Sequence, residues 1–158
     1  MSGEAETDAQ SSDRLRQSPI GDDFSLTLAR ANAISLERTH RVLAAHGLKV
    51  RSYAVLGLAV AGARPTQREL SEFLRLDPSQ IVALIDGLER KGLLQREPDA
   101  RDRRVKVVTA TTEGVQVFAE ARADTQRSEE EWLQSIPPER RVMLAELLGE
   151  LAHDEKSR

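Results

Sequence analysis

Apolar positions along the 158-residue chain follow helical spacing, interrupted once by a stretch of shorter period. From residue 22, Phe24, Leu28, Ala31 and Ser35 share one face of a predicted helix, and Asp22 and Asp23 stand where acidic side chains favour a helix start. Leu36, Val42 and Leu43 prolong the pattern to Gly47, a residue suited to ending a helix. A second helix is predicted from about Arg51 to Ala61. It is apolar nearly all round, as a helix buried on several sides would be. Gly62, Ala63, Arg64 and Pro65 end it.

The next stretch carries the sharpest local signals. Thr66-Gln67-Arg68-Glu69 is a capping box, with Thr66 as N-cap and Glu69 reaching back. Leu70, Phe73 and Leu74 then form the expected buried face of a short helix. At Asp77-Pro78-Ser79-Gln80 the pattern restarts, with Asp77 as cap, Pro78 at the first helical position and Gln80 placed for a second capping box. Ile81, Leu84, Ile85 and Leu88 follow on one face, and Gly92 stops the helix. Two short helices joined by a tight turn make a helix-turn-helix pattern.

After Gly92 the period changes. Leu93 to Glu97 and Val105 to Val108 read as two strands around the polar connection Pro98 to Arg104, a hairpin with a long tip. Thr111 or Thr112 caps a further helix running through Val115 and Phe118 towards Trp132 and Leu133, and Pro137 and Pro138 break it. A last helix, roughly 138–154, is expected to bury Leu144, Leu147, Leu148 and Leu151. The predicted fold class is therefore mainly α with a small β-hairpin, in the order of a winged helix-turn-helix flanked by further helices.

Composition narrows the function classes. Aromatic residues make up 3%, so the core must be built from Leu, Val, Ile and Ala. The absence of Cys removes disulfides, thiolate nucleophiles, Cys-based zinc sites and thiol redox sensing. Residues 1–20 are acidic and Ser-rich without an apolar core, the composition of a disordered tail and not of a secretory signal. The longest apolar run, Tyr53 to Ala61, is too short to span a bilayer, and a cytoplasmic protein is expected.

A formal net charge of −3 argues at first against a nucleic-acid partner, but charge is segregated along the chain. Residues 112–158 carry a net −5, whereas Arg90 to Lys106 holds seven basic residues against three acidic ones. Three Arg within four residues (Arg101, Arg103 and Arg104) directly follow the helix-turn-helix, and such concentration suits contact with phosphates. With Ile81, Leu84, Ile85 and Leu88 facing the core, Ser79, Gln80, Val82, Ala83 and Asp86 lie on the other faces. Ser79 suits a phosphate or a base, and Gln80 an adenine edge. Val82 and Ala83 read equally as surface scatter or as partners for thymine methyl groups. Asp86 would repel phosphate and is expected to pair within the domain.

Catalysis finds little support. His40 and His46 point to different faces of a helix, His153 is remote in sequence, and no nucleophile-elbow or zinc-protease motif occurs. No cofactor and no metal is implied. A winged helix that binds protein without specific DNA recognition is the alternative, and the Arg-rich tip weighs against it.

Thr66-Gln67-Arg68-Glu69-Leu70, Leu76-Asp77-Pro78-Ser79, Leu88 to Leu93, and Asp102-Arg103-Arg104 followed by Ala110-Thr111-Thr112-Glu113-Gly114 together resemble the MarR family of regulators. The resemblance covers about residues 22–154 and is strongest from 66 to 114. It implies a homodimeric, ligand-responsive repressor on a pseudo-palindromic DNA site. Residues 22–48 and 115–154 would form a helical dimerisation region, with a winged helix-turn-helix lobe over 50–112. Arg104 would enter the minor groove with Asp102 orienting it. The candidate DNA-contacting set is Thr66, Gln67, Ser79, Gln80, Val82, Ala83, Arg101, Asp102, Arg103 and Arg104. A small aromatic or anionic effector is a further implication, its binding residues unassigned. Ala110 replaces the family's usual Leu, and Ala83 stands where many members carry a polar or Arg side chain.

Overall fold

The computed structural model describes Leu15 and residues 17–152, so most of the expected tail, and His153, lie outside the described residues. The elements are α1 (Phe24–Ala44), α2 (Val50–Val60), α3 (Gln67–Leu74), α4 (Pro78–Arg90), β1 (Leu94–Pro98), β2 (Lys106–Ala110), α5 (Thr112–Leu133) and α6 (Pro138–Ala152). This is the mainly helical fold with a single hairpin that the hydrophobic pattern predicts. The chain divides into two units, one up to Arg41 and one from Val42 onward.

In the first unit, Asp23 starts α1 by accepting a hydrogen bond at Oδ1 from the Leu26 N–H at 3.0 Å. Glu37 and Arg41 pair one turn apart at 2.9 Å. Phe24, Leu28, Ile34 and Leu36 are exposed.

In the second unit, two helices end by the same device. At the end of α1, Gly47 takes φ +64° and the Leu48 N–H reaches back to Leu43 O at 3.0 Å; at the end of α4, Gly92 takes φ +72° and the Leu93 N–H reaches Leu88 O at 3.0 Å. Each closure delivers the next Leu into the core. That core gathers Leu43 and Leu48, Val55 and Leu56 of α2, Leu70 of α3, Ile81 and Ile85 of α4, and Val108 of β2. Each such side chain contributes roughly 1.5–3 kcal/mol on leaving water. Against α2, the ring of Phe118 stacks on Tyr53 with centroids 5.1 Å apart.

The hairpin is antiparallel, with Leu94 opposite Ala110 and Pro98 opposite Lys106. A third extended piece, which composition does not announce, joins it. Thr66 bridges Val107, and Pro65 O accepts from the Val108 N–H at 2.8 Å. The segment leading into α3 is thus fastened to β2.

Three expectations fail. Phe73, predicted to share a buried face with Leu70 and Leu74, is 67% exposed. At about 100° per residue it lies about 60° from Leu70 and about 100° from Leu74, and so short a helix buries only a narrow stripe. Leu144, Leu147, Leu148 and Leu151, predicted to be buried by the last helix, are all exposed, and no residue of α6 is buried. No described element of the second unit covers that helix enough to remove those side chains from water. The second capping box does not form either. Asp77 Oδ1 accepts from both the N–H (2.8 Å) and the hydroxyl (2.5 Å) of Ser79, and Gln80 takes no part in the cap.

Candidate nucleic-acid interface

The helix-turn-helix is held by local chemistry at both starts. The Thr66 hydroxyl accepts from the Glu69 N–H at 3.2 Å and donates to Glu69 Oε2 at 2.8 Å, while the Thr66 N–H donates to the same oxygen at 2.7 Å. These bonds hold the Glu69 carboxyl below the usual carboxylate range, the backbone bond from Thr66 first among the causes. Between the helices, Arg75 adopts a left-handed conformation, φ +51°, ψ +44°, at a position where neither Gly nor Asn marks it. The turn is clamped by the Leu76 N–H bonding Ser71 O at 3.1 Å and the Ser71 hydroxyl bonding Leu76 O at 2.6 Å.

With Ile81, Ile85 and Leu88 turned inward, Ser79, Gln80, Val82 and Ala83 all lie exposed along the first two turns of α4. The Asp77 cap at their head is a carboxylate held low by the Ser79 hydroxyl and N–H. Proline at the first helical position needs no N–H partner there.

At the hairpin tip the backbone is organised by two aspartates. Asp99 Oδ1 accepts from the Arg101 N–H at 2.6 Å, and Asp102 Oδ1 accepts from the Arg104 N–H at 3.0 Å. Asp102 also takes both prongs of the Arg104 fork, Nε at 3.0 Å and Nη2 at 2.9 Å. The guanidinium is thereby fixed in plane while its side chain stays 90% exposed. This pairing pushes the Asp102 carboxyl down and the Arg104 guanidinium up from their ordinary values. Arg101 and Arg103 are exposed beside it.

Other members of the basic run have partners within the protein, and Arg96 among them is turned inward. Arg96 of β1 pairs with Asp86 at 2.6 Å and with Glu89, both on α4, and its side chain is only 24% exposed. Asp86 is therefore an internal ion-pair partner, as its sign suggests. Gln67 sets its side-chain amide against the same guanidinium, and the amide assignment that satisfies both groups puts its oxygen 2.9 Å from Nε and 3.0 Å from Nη2. Lys91 donates from Nζ to the Gly47 carbonyl, and Arg90 Nε to the Asp86 carbonyl at 3.2 Å. On the other strand face, Arg64 pairs with Glu97 at 3.1 Å. Within the run, Arg96 is thus compensated by carboxylates, whereas Arg101, Arg103 and Arg104 stand exposed together at the hairpin tip. Of the candidate set, Ser79, Gln80, Val82 and Ala83 share one exposed face, and Arg101 to Arg104 share one tip. Thr66 and Gln67 are engaged within the protein. Sequence reasoning misses the structural roles of Arg96, Lys91 and Arg64, because spacing along the chain does not tell a paired cation from an exposed one.

Away from this surface, His46 Nε2 meets Asp124 Oδ2 of α5 at 2.9 Å with a side chain 14% exposed. Asp124 is held below the usual range chiefly by that bond. Among the described residues no group of three His, Cys, Asp or Glu side chains is arranged to hold a metal, and no helix is long and apolar enough to cross a membrane.

Comparison with known proteins places these features in company. Residues 46–105 match the profile of the MarR family. A transcriptional regulator (MarR family) from Rhodococcus sp. RHA1 is 34% identical, with the similarity covering 87% of this chain and 97% of that one at a TM-score of 0.80. CouR from Rhodococcus jostii RHA1, in a crystal structure bound to p-coumaroyl-CoA, shows the same identity, coverage and TM-score. Wild-type MarR from E. coli in its apo form shares the fold at a TM-score of 0.70, with 21% identity over 81% of this chain and 96% of that one.

Proposed function

This chain belongs to the MarR family of transcriptional regulators, and from that premise we propose that it is a DNA-binding repressor acting as a homodimer on a pseudo-palindromic site. The observation that carries the reading is the exposed, pre-oriented guanidinium of Arg104, forked onto Asp102 at a tip that also bears Arg101 and Arg103. In this reading Arg104 enters the minor groove, where a narrow, electronegative floor favours Arg. The start of α4 enters the major groove, with Ser79 and Gln80 offering polar contacts and Val82 and Ala83 meeting thymine methyl groups. Thr66 and Gln67 would contribute at most their backbone to a phosphate, since their side chains have partners inside the protein.

Dimerisation is assigned to residues 22–48 and 115–154, and the DNA-binding lobe to 50–112. Support comes from α6, where Val142, Met143, Leu144, Leu147, Leu148 and Leu151 are 38–59% exposed. So much apolar surface on one helix calls for a partner. The similarity to a protein crystallised with p-coumaroyl-CoA supports control by a small aromatic or anionic effector. The protein then works in the cytoplasm by binding and release, without catalysis.

Fluorescence anisotropy on duplexes from the region upstream of its own gene tests the central reading. Saturable binding, competed by the same unlabelled duplex and not by scrambled DNA, is expected at moderate salt, and binding without sequence preference would refute it. Added p-coumaroyl-CoA is expected to release the duplex. Sedimentation at micromolar concentration is expected to give a dimer.

A further inference from the structure

Arg96 stands in the middle of the basic run, where sequence alone would enrol it as a phosphate contact. Its surroundings assign it other work. It projects from β1 towards α4, where Asp86 and Glu89, three residues apart, present carboxylates on one helix face. The bond to Asp86 is 2.6 Å, and a second nitrogen of the fork meets Glu89. Gln67, the first residue of α3, closes the remaining side with its side-chain amide, whose oxygen, in the assignment that satisfies both groups, lies 2.9 and 3.0 Å from the fork. A single planar group therefore touches the first helix of the pair, the second helix, and the first strand of the hairpin. Opposite it in the hairpin register stands Val108, which is fully buried and hydrogen-bonded to Pro65.

We propose that Arg96 is a positioning residue for DNA recognition: it locks α4 to the hairpin and to the start of α3, so that the exposed face of α4 and the Arg104 tip meet DNA in one fixed geometry. Two physical effects follow. The planar fork satisfies three acceptors at set angles, which a Lys cannot do. It also offsets one of the two negative charges of Asp86 and Glu89, which would otherwise repel a phosphate backbone more strongly. The inference rests on the DNA-binding reading above, but its structural half holds in the free protein.

The experiment compares Arg96→Gln, Arg96→Lys, Asp86→Asn and Gln67→Ala with wild type, each confirmed folded by circular dichroism. Affinity for the specific duplex is measured across a salt series, and amide hydrogen exchange is measured without DNA. Arg96→Gln is expected to weaken binding by about tenfold while the slope of log K against log[salt] stays unchanged. Arg96→Lys is expected to recover little of that loss. Asp86→Asn is expected to weaken binding too, although it removes a negative charge. Exchange in β1 and the second half of α4 is expected to rise in Arg96→Gln.

A slope reduced by about 0.9 in Arg96→Gln would make Arg96 a phosphate contact and overturn the proposal. Tighter binding by Asp86→Asn would overturn it as well, since removal of repulsion would then outweigh positioning. If Arg96→Gln does not fold, the milder Asp86→Asn and Gln67→Ala variants decide the same question. Should wild type lack sequence preference, the functional reading fails separately. Hydrogen exchange then still decides whether Arg96 holds the elements together, and unchanged exchange in β1 and α4 would refute that.

Discussion

Replacing Gly114 by Ala separates intrinsic helix preference from tertiary packing. Gly114 lies in the first turn of α5, where its N–H donates to the Thr111 hydroxyl at 3.0 Å. A Cβ built there would stand 2.0 Å from Leu93 O, 2.9 Å from Leu93 C and 3.3 Å from Leu56 Cδ1. Relief requires a shift of about 1 Å or more, and the obstructing atom is backbone held on both sides. Leu93 O accepts from the Thr111 N–H at 3.1 Å, and the Leu93 N–H closes α4 on Leu88 O at 3.0 Å. Overpacking of this kind costs about 1–3 kcal/mol, and loosening one of those hydrogen bonds adds about 1 kcal/mol. Ala in place of Gly returns about 1 kcal/mol of helix propensity. The net loss is about 2 kcal/mol, a fall in Tm of about 4–8 °C for a chain of this length.

Gly87→Ala is the internal control. It sits within α4 with only the Arg90 Nη2 atom near, at 4.0 Å, so propensity acts alone and Tm is expected to rise by about 2–4 °C. Thermal melts by circular dichroism at equal protein concentration make the comparison, because association shifts Tm. Opposite signs for the two substitutions are expected. A Gly114→Ala protein melting at or above wild type would show that the Leu93 carbonyl yields cheaply, and would refute the packing argument.

Arg104→Ala is expected to weaken specific DNA binding and to lower the salt slope by about 0.9, in contrast to Arg96→Gln; an unchanged slope in the same anisotropy series would remove Arg104 from the phosphate or groove contacts. Asp77→Ala strips the N-cap of α4 and is expected to lower stability, read as a fall in urea midpoint at constant m-value. For pH, the His46 bond depresses the folded-state value of Asp124. Its stabilisation is therefore complete above the ordinary carboxylate value of about 3.9 and is lost as pH falls through the lower folded value. Melts between about pH 6 and about pH 2.5 are expected to show a shallower acid loss in Asp124→Asn than in wild type, and superimposable profiles would deny the pair that role.

Chain-local chemistry accounts for most of what the amino-acid sequence determined. The Thr66–Glu69 box, the Asp77 cap, the glycine stops at Gly47 and Gly92, and the change of period at the hairpin all depend on atoms within about five residues of one another. The exposed face of α4 was legible for the same reason, since helical spacing alone sets Ser79, Gln80, Val82 and Ala83 opposite Ile81 and Ile85. Contacts between distant segments were decided by tertiary structure. Arg96 and Arg104 are the same residue type in one basic run, yet one is clamped by Asp86, Glu89 and Gln67 and the other stands 90% exposed. Phe73 and the leucines of α6 are as apolar as Leu70, and only the packing of neighbouring elements left them uncovered. Gly114 illustrates the division most directly. A glycine near a helix start is locally unfavourable, and its necessity comes from the carbonyl of Leu93, brought against it by the fold. Hydrogen bonds within a turn follow from sequence neighbours, whereas charge compensation and burial depend on which surfaces meet.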